Sequence, residues 1–220
     1  MFKGKVLLFS LLLVFATSLH AGEVDGCESE CSVSCVGMRV SICPAGDFQF
    51  IREGCGGVAD YIQVDVKDIG GVGVPGIPWS DYWLAACDDV TYALCLCARP
   101  ILADSLTSSS PGVEGRTTLS ARIAGGGCVL SDGISLAVQG KVILEKPSCI
   151  DPICLDVQIV SPDLTADCVV NLSDLGVFGL SYNKALGETG YDDCCDYNDD
   201  QDCNLSDFAY MGEHYQHVCF

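Results

Sequence analysis

Two stretches of this chain carry the same pattern 33 residues apart, Asn171-Leu172-Ser173-Asp174-Leu175 and Asn204-Leu205-Ser206-Asp207-Phe208. The match extends backward, setting Asp163 against Asp196, Thr165 against Asn198 and Asp167 against Asp200. It also extends forward, setting Leu175, Phe178 and Tyr182 against Phe208, Met211 and Tyr215. Those forward positions are spaced i, i+3, i+7, one face of a helix. A solvated acidic tail has no reason to repeat both a polar pentad and a helical face at one offset. The chain must therefore fold, near its end, into two copies of an oxygen-rich loop that feeds a short amphipathic helix.

The loops carry an unusual charge. Residues 163–207 hold 11 acids and one base, Lys184. Counted from Asp163 and from Asp196, the oxygen-bearing residues fall at loop positions 1, 3, 5, 9 and 12. Calcium takes six to eight oxygen ligands, and a twelve-residue loop offers them at this spacing. The first loop would bind through Asp163, Thr165, Asp167, the backbone carbonyl of Val169, Asn171 (directly or through water) and Asp174. The second would use Asp196, Asn198, Asp200, the carbonyl of Asp202, Asn204 and Asp207. The expected cofactor is calcium at two sites. Val170 and Cys203, at position 8, are apolar enough to pack the two loops together.

Ser161 to Val218 resembles a dockerin, a duplicated EF-hand-like loop–helix with Asp at position 12. The resemblance implies a small all-α domain that folds on calcium and docks to a cohesin-like or cell-surface protein. Dockerins commonly ride on polysaccharide-degrading enzymes, so it also implies that setting. Two departures stand out. Position 6, usually Gly because the turn wants positive φ, is Cys168 and Gln201. Positions 10 and 11, often a Ser-Thr-type pair facing the cohesin, are Leu172-Ser173 and Leu205-Ser206, and the basic residues that often follow are missing.

Sixteen cysteines all follow residue 26. Residues 1–21 read as a secretory signal peptide: Lys3 and Lys5 precede an apolar run of about 14 residues, too short for a bilayer span, with Ala21 or Ser18 at the cut. An even cysteine count in an exported chain reads as a disulfide framework, with metal thiolates the alternative. Local pairings are expected: Cys87 with Cys95 or Cys97, Cys203 with Cys219, and Cys168 with Cys194 or Cys195. The net charge of −19 excludes nucleic acid as a partner, because phosphate binding needs Lys and Arg. No second membrane segment follows the signal.

Residues 22–158 read as β. Ile62, Val64 and Val66 alternate with Gln63, Asp65 and Lys67, the period of a half-buried strand. Further strands are expected at Arg39–Ile42, Phe48–Ile51, Tyr82–Ala86, Ala93–Cys97, Thr117–Ile123, Ile134–Gln139, Lys141–Leu144 and Leu155–Val160. Regular turn signals between short strands predict an antiparallel sandwich. The stretches 62–78 and 103–123 are similar to bacterial immunoglobulin-like modules, which implies an immunoglobulin-like β-sandwich for this domain. The expected whole is mostly β with a small all-α domain at 161–220.

Other signals weigh less. His214 and His217 lie i, i+3 on the last helix, where a cation suits the macrodipole; a zinc or copper site with Cys219 is the alternative. Trp79, Tyr82 and Trp83 form either a sugar-stacking platform or core packing. Asn171-Leu172-Ser173 and Asn204-Leu205-Ser206 fit the glycosylation sequon, but both asparagines already belong to loops. The β region has no histidine for a Ser–His or Cys–His nucleophile, and Asp81, Asp88, Asp89 and Asp104 lie in no recognisable motif. The reading is a secreted, non-catalytic calcium-binding interaction or structural protein. The alternative is an accessory component of extracellular polysaccharide degradation, binding carbohydrate or weakly hydrolysing it.

Overall fold

The computed structural model describes residues 22–35, 37–46, 50–51, 61–87, 94–97, 103–120, 123–131 and 134–219. The expected signal peptide, Asp88 and Asp89 lie outside them. The described chain is mostly β with two short helices. Its strands are β1 (Glu30–Val33), β2 (Met38–Ser41), β3 (Phe50–Ile51), β4 (Ile62–Asp65), β5 (Tyr82–Ala86), β6 (Leu94–Leu96), β7 (Arg116–Leu119), β8 (Gly125–Gly127), β9 (Ile134–Val138), β10 (Lys141–Val142) and β11 (Val157–Val160). Then follow α1 (Leu172–Ser181), β12 (Lys184–Ala185), β13 (Asp202–Cys203) and α2 (Leu205–Glu213).

Alternation decides which strand face goes inside. In β4, Ile62 and Val64 are enclosed while Gln63 and Asp65 are half-buried. β4 sits between β1 and β7, antiparallel to both. β9 lies between β5 and β10 in a second antiparallel sheet. Ile62, Val64, Tyr82, Leu136, Val138 and Ile159 belong to one continuous apolar core. The expected all-antiparallel arrangement fails along β2: it runs parallel to β11, with Val40 opposite Ile159, and just beyond it Cys43 bridges Ala124 in parallel.

β2 is buried on both faces. Met38 and Val40 enter the main core. Arg39 and Ser41 face the other way, toward residues 193–199, and Cys43 continues that face two residues on. A second apolar cluster lies there, formed by Val160, Val170, Phe178, Cys195, Tyr197, Cys203 and Met211. Ile159 thus belongs to one core and its neighbour Val160 to the other.

The disulfides correct the local pairings expected from sequence. Cys87 bonds Cys154, Cys95 bonds Cys168, Cys97 bonds Cys219 and Cys128 bonds Cys194, with Cα–Cα separations of 6.1, 5.6, 5.4 and 5.7 Å. Cys27 bonds Cys149 across 122 residues. The physical reason is sheet pairing. The Ile134–Leu155 bridge draws Cys154 to the edge where β5 ends, one residue before Cys87. Cys203 lies buried on β13, and the partner expected for it, Cys219, is bonded to Cys97. Three of these bonds staple the β region to residues 161–219, so the C-terminal repeats are not an independent bead on a string. No helix among the described residues is long and apolar enough to cross a membrane.

Candidate metal centre

The two repeats build the same loop. Each helix begins at an asparagine N-cap, Asn171 or Asn204, whose side-chain oxygen accepts from the backbone N–H of Ser173 or Ser206 at 2.7 Å. Asp174 and Asp207 complete the capping box by accepting from the N–H of Asn171 at 2.7 Å and of Asn204 at 2.9 Å. Such a cap contributes about 1 kcal/mol. α1 needs it, because Gly176 and Gly179 each cost about 1 kcal/mol of helix propensity.

Upstream, the correspondence is bond for bond. Asp163 accepts from the N–H groups of Asp167 (3.2 Å) and Cys168 (2.8 Å). Asp196 accepts from those of Asp200 (3.1 Å) and Gln201 (2.8 Å). Asp167 accepts from the Val169 N–H, and Asp200 from the Asp202 N–H, both at 3.0 Å. Ala166 and Cys168 take φ of 55° and 69°, and Asp199 and Gln201 take 58° and 70°. The left-handed turn at position 6 therefore forms in both loops without glycine.

These turns gather Asp163, Asp167 and Asp174 at one point, and Asp196, Asp200 and Asp207 at another. In each triad one carboxylate oxygen per residue lies within 4.8 Å of the others. Four of the six aspartates, Asp163, Asp174, Asp196 and Asp207, are fully enclosed. Thr165 joins the first cage, donating to Asp174 at 2.9 Å. Asn198 lies over Asp200, its amide 3.0 Å from the carboxylate. The Val169 and Asp202 carbonyls face the amides of Asn171 and Asn204 at 3.2 and 3.5 Å. Asn171 and Asn204 give their oxygens to the helices, so they stand behind the cages as caps and would reach an ion only through water.

The loops close on each other in exchange. β13 of the second loop pairs with β12, the segment after α1, setting Ala185 opposite Asp202. Val169 of the first loop bridges Val218, the segment after α2. These two pairs map onto each other through the same offset of 33, so the repeats are related by a pseudo-twofold and each locks the other.

Burial acts first on the electrostatics. It pushes the Asp163 carboxyl up to about 6, and neighbouring Asp174 adds to the rise. Burial also raises Asp196 and Asp207 above the ordinary carboxylate range, while backbone N–H bonds pull both back. The Arg39 guanidinium further lowers Asp196. Among the described residues no basic side chain lies in ion-pairing range of Asp163, Asp167 or Asp174.

Sequence reasoning missed three contributors. Arg39 reaches from β2 to donate to the carbonyls of Asp193 and Asp196, with Nη1 3.2 Å from Asp193 Oδ1 and 3.4 Å from Asp199 Oδ1. Tyr191 donates to Asp196 at 3.2 Å. Gly126 of β8 packs its bare Cα against Asp163, where a Cβ would overlap the carboxylate. The run Gly125-Gly126-Gly127 was the available signal, since three glycines in a strand mark a close approach.

The donors are all hard oxygens, three of them carboxylates per cage, and they fit calcium. Elsewhere, Tyr82 is enclosed in the core while Trp79 and Trp83 are 59% and 40% exposed, so a three-ring platform reduces to two rings. Asp81 accepts from Gln139, and Asp104 from Thr118 and Ser120. No family model, no curated protein and no solved structure matches this chain.

Proposed function

We propose that residues 161–220 form a dockerin-like calcium-binding module, carried by an exported immunoglobulin-like β protein whose role is extracellular interaction rather than catalysis. The observation that carries this reading is the pair of aspartate triads at one offset, each with its first and last carboxylate enclosed. Buried carboxylates that cluster without enough positive charge repel one another and lose hydration. A divalent cation in each cage would reverse both penalties and tie the first turn of each helix to its loop. Calcium binding is then coupled to the stability of the module.

A groove lined by Leu175, Phe178, Gly179, Tyr182, Leu205 and Phe208 separates the helices. Its exposed apolar rim, including Leu205 at 67%, offers a surface for a cohesin-like or cell-surface partner. The exposure of Trp79 and Trp83 favours a second reading, an accessory role in polysaccharide degradation. Quenching of tryptophan fluorescence by a soluble polysaccharide would support it, and an unchanged spectrum would remove it.

The test of the main reading is calorimetric titration of the intact, oxidised chain with calcium. Two ions should bind. Asp174→Ala and Asp207→Ala should each leave one. At free calcium about 100 times Kd, loss of a site costs about 2.7 kcal/mol of calcium-dependent stability. No heat and no change in stability would sink the proposal. Unchanged stoichiometry in both variants would show that the loop register is wrong.

A further inference from the structure

We propose that Cys43, His214 and His217 form a third metal site, for a zinc-class transition ion, where the β region meets the C-terminal repeats. The three residues come from distant parts of the chain. Cys43 extends the face of β2 that already carries Arg39 and Ser41. His214 caps the C-terminal end of α2, and His217 follows one turn later. One ligand atom from each lies within 4.8 Å of the other two. Cys43 Sγ is 3.2 Å from His217 Nδ1, which is 3.3 Å from His214 Nδ1.

The nitrogen–nitrogen separation is that of an edge of a coordination polyhedron, and the sulfur–nitrogen separation is somewhat shorter than one. At ordinary zinc bond lengths, two nitrogens on one tetrahedral ion lie about 3.3 Å apart, and a nitrogen and a sulfur about 3.6 Å. A single hydrogen bond at His217 Nδ1 cannot serve both of its neighbours. His217 Nδ1 has either one proton or one lone pair, yet it faces both a sulfur and a second ring nitrogen. An ion at the centre engages all three at once.

The site is held from several sides. His217 O accepts from the Val170 N–H at 2.9 Å, and the Gln216 N–H donates to Val170 O at 2.8 Å. The Cys97–Cys219 bond anchors the tail two residues beyond His217, and Cys97 Sγ lies 3.1 Å from the carbonyl of Pro44. The C-terminal end of α2 also favours a positive charge. A Cys–His nucleophile is the competing use of these atoms, but Cys43 is fully enclosed and no substrate reaches its sulfur. Three protein donors leave one position of a tetrahedral ion to a further ligand. The donor set separates this site from the aspartate cages, since a thiolate and two imidazoles select zinc or copper over calcium.

The experiment uses the intact, oxidised chain, stripped of metal and then held in excess calcium. Titration with cobalt(II), as a spectroscopic stand-in for zinc, should bind one equivalent and produce a thiolate-to-cobalt charge-transfer band. Cys43→Ser should abolish the band. His217→Gln should weaken binding by at least about 100-fold, the upper range for losing even a partner behind a ligand. Where Cys43→Ser does not fold, the wild-type chain supplies the answer. The enclosed Cys43 thiol is alkylated only when the site opens transiently, and zinc at about 100 times Kd should slow that reaction about 100-fold. No charge-transfer band, a band that survives Cys43→Ser in a folded chain, or alkylation indifferent to zinc would each overturn the site. Any of these would leave a hydrogen-bonded Cys–His–His cluster. None of the outcomes depends on whether the aspartate loops bind calcium.

Discussion

The two loops share a backbone but not a solution to the same electrostatic problem. Both pack three aspartates into a cage and bury the first and last of them. The second loop borrows a cation, because Arg39 of β2 reaches across the inter-region boundary to Asp193, Asp196 and Asp199. The first loop has no such partner among the described residues. It is instead covered by Gly126 and stapled by the Cys95–Cys168 bond. A duplicated device has therefore diverged in its surroundings. One copy is partly neutralised from within, and the other has no such cation among the described residues; on the calcium reading proposed above, it would depend on an ion from outside.

The largest expected effect comes from removing the borrowed charge. Arg39 is 4% exposed and makes two hydrogen bonds to carbonyls in addition to its ion pairs. Arg39→Met should cost about 3 kcal/mol in the presence of chelator, because it strands the buried carbonyl of Asp196, a second carbonyl and two partly exposed carboxylates at once. Saturating calcium should reduce that cost, since an ion in the second cage replaces part of the lost charge. Denaturant unfolding of both forms, with and without calcium, measures the difference. Equal losses under both conditions would mean that Arg39 serves only as a backbone donor, and the contrast between the loops would lose its electrostatic basis.

A smaller effect should follow pH. The Asp163 carboxyl in the folded chain is held at about 6, above the ordinary value of about 3.9 expected when unfolded. The folded state therefore binds the extra proton between those values. The stability this group contributes is fully present below about pH 4 and is lost as pH rises through about 6. Asp196 and Asp207 shift in the same direction, with Arg39 restraining Asp196. In chelator, the unfolding midpoint should fall across this window. In calcium the fall should disappear, because the ion needs ionised carboxylates. Asp163→Asn should flatten the chelator profile more than Asp196→Asn does. The reverse order would assign the uncompensated charge to the wrong loop.

What the sequence disclosed and what it concealed divide along the range of the interactions. The repeat, both helix starts and the strand at Tyr82–Ala86 were legible because each rests on neighbours within a few residues. Asn171 and Asn204 announce their helices by capping them, and the alternation around Val64 announces its own strand. The disulfide partners were hidden because they lie 66 to 122 residues apart and depend on which strands pair. Arg39 carried no signal either. An arginine in a strand normally faces water, and only the burial of β2 on both sides turns it into a loop ligand. The glycines of β8 lie in no strand expected from the sequence, yet they form one, and Asp163 occupies the space a side chain at Gly126 would need. The meeting of Cys43 with His214 and His217 has the same origin. Neither segment is informative until β2 and the end of α2 are brought together.

The smallest effect isolates the backbone. Position 6 takes φ of 69° at Cys168 and 70° at Gln201, where any side chain is strained by about 1 kcal/mol or more. Gln201 is exposed, and its N–H bond to Asp196 does not need the side chain. Gln201→Gly should therefore relieve strain at the cost of extra freedom in the unfolded chain, for a net gain of about 0.5 kcal/mol. The same change in the first loop should do the opposite. Cys168→Gly relieves the same strain but cuts the bond to Cys95, whose loss costs about 2 kcal/mol or more. Unfolding midpoints of the two variants in chelator should thus move in opposite directions. If Cys168→Gly were also stabilising, the staple would contribute nothing and the first loop would hold its turn unaided. The Arg39 contacts to the second loop and the Gly126 cover on the first would then be what separates the copies.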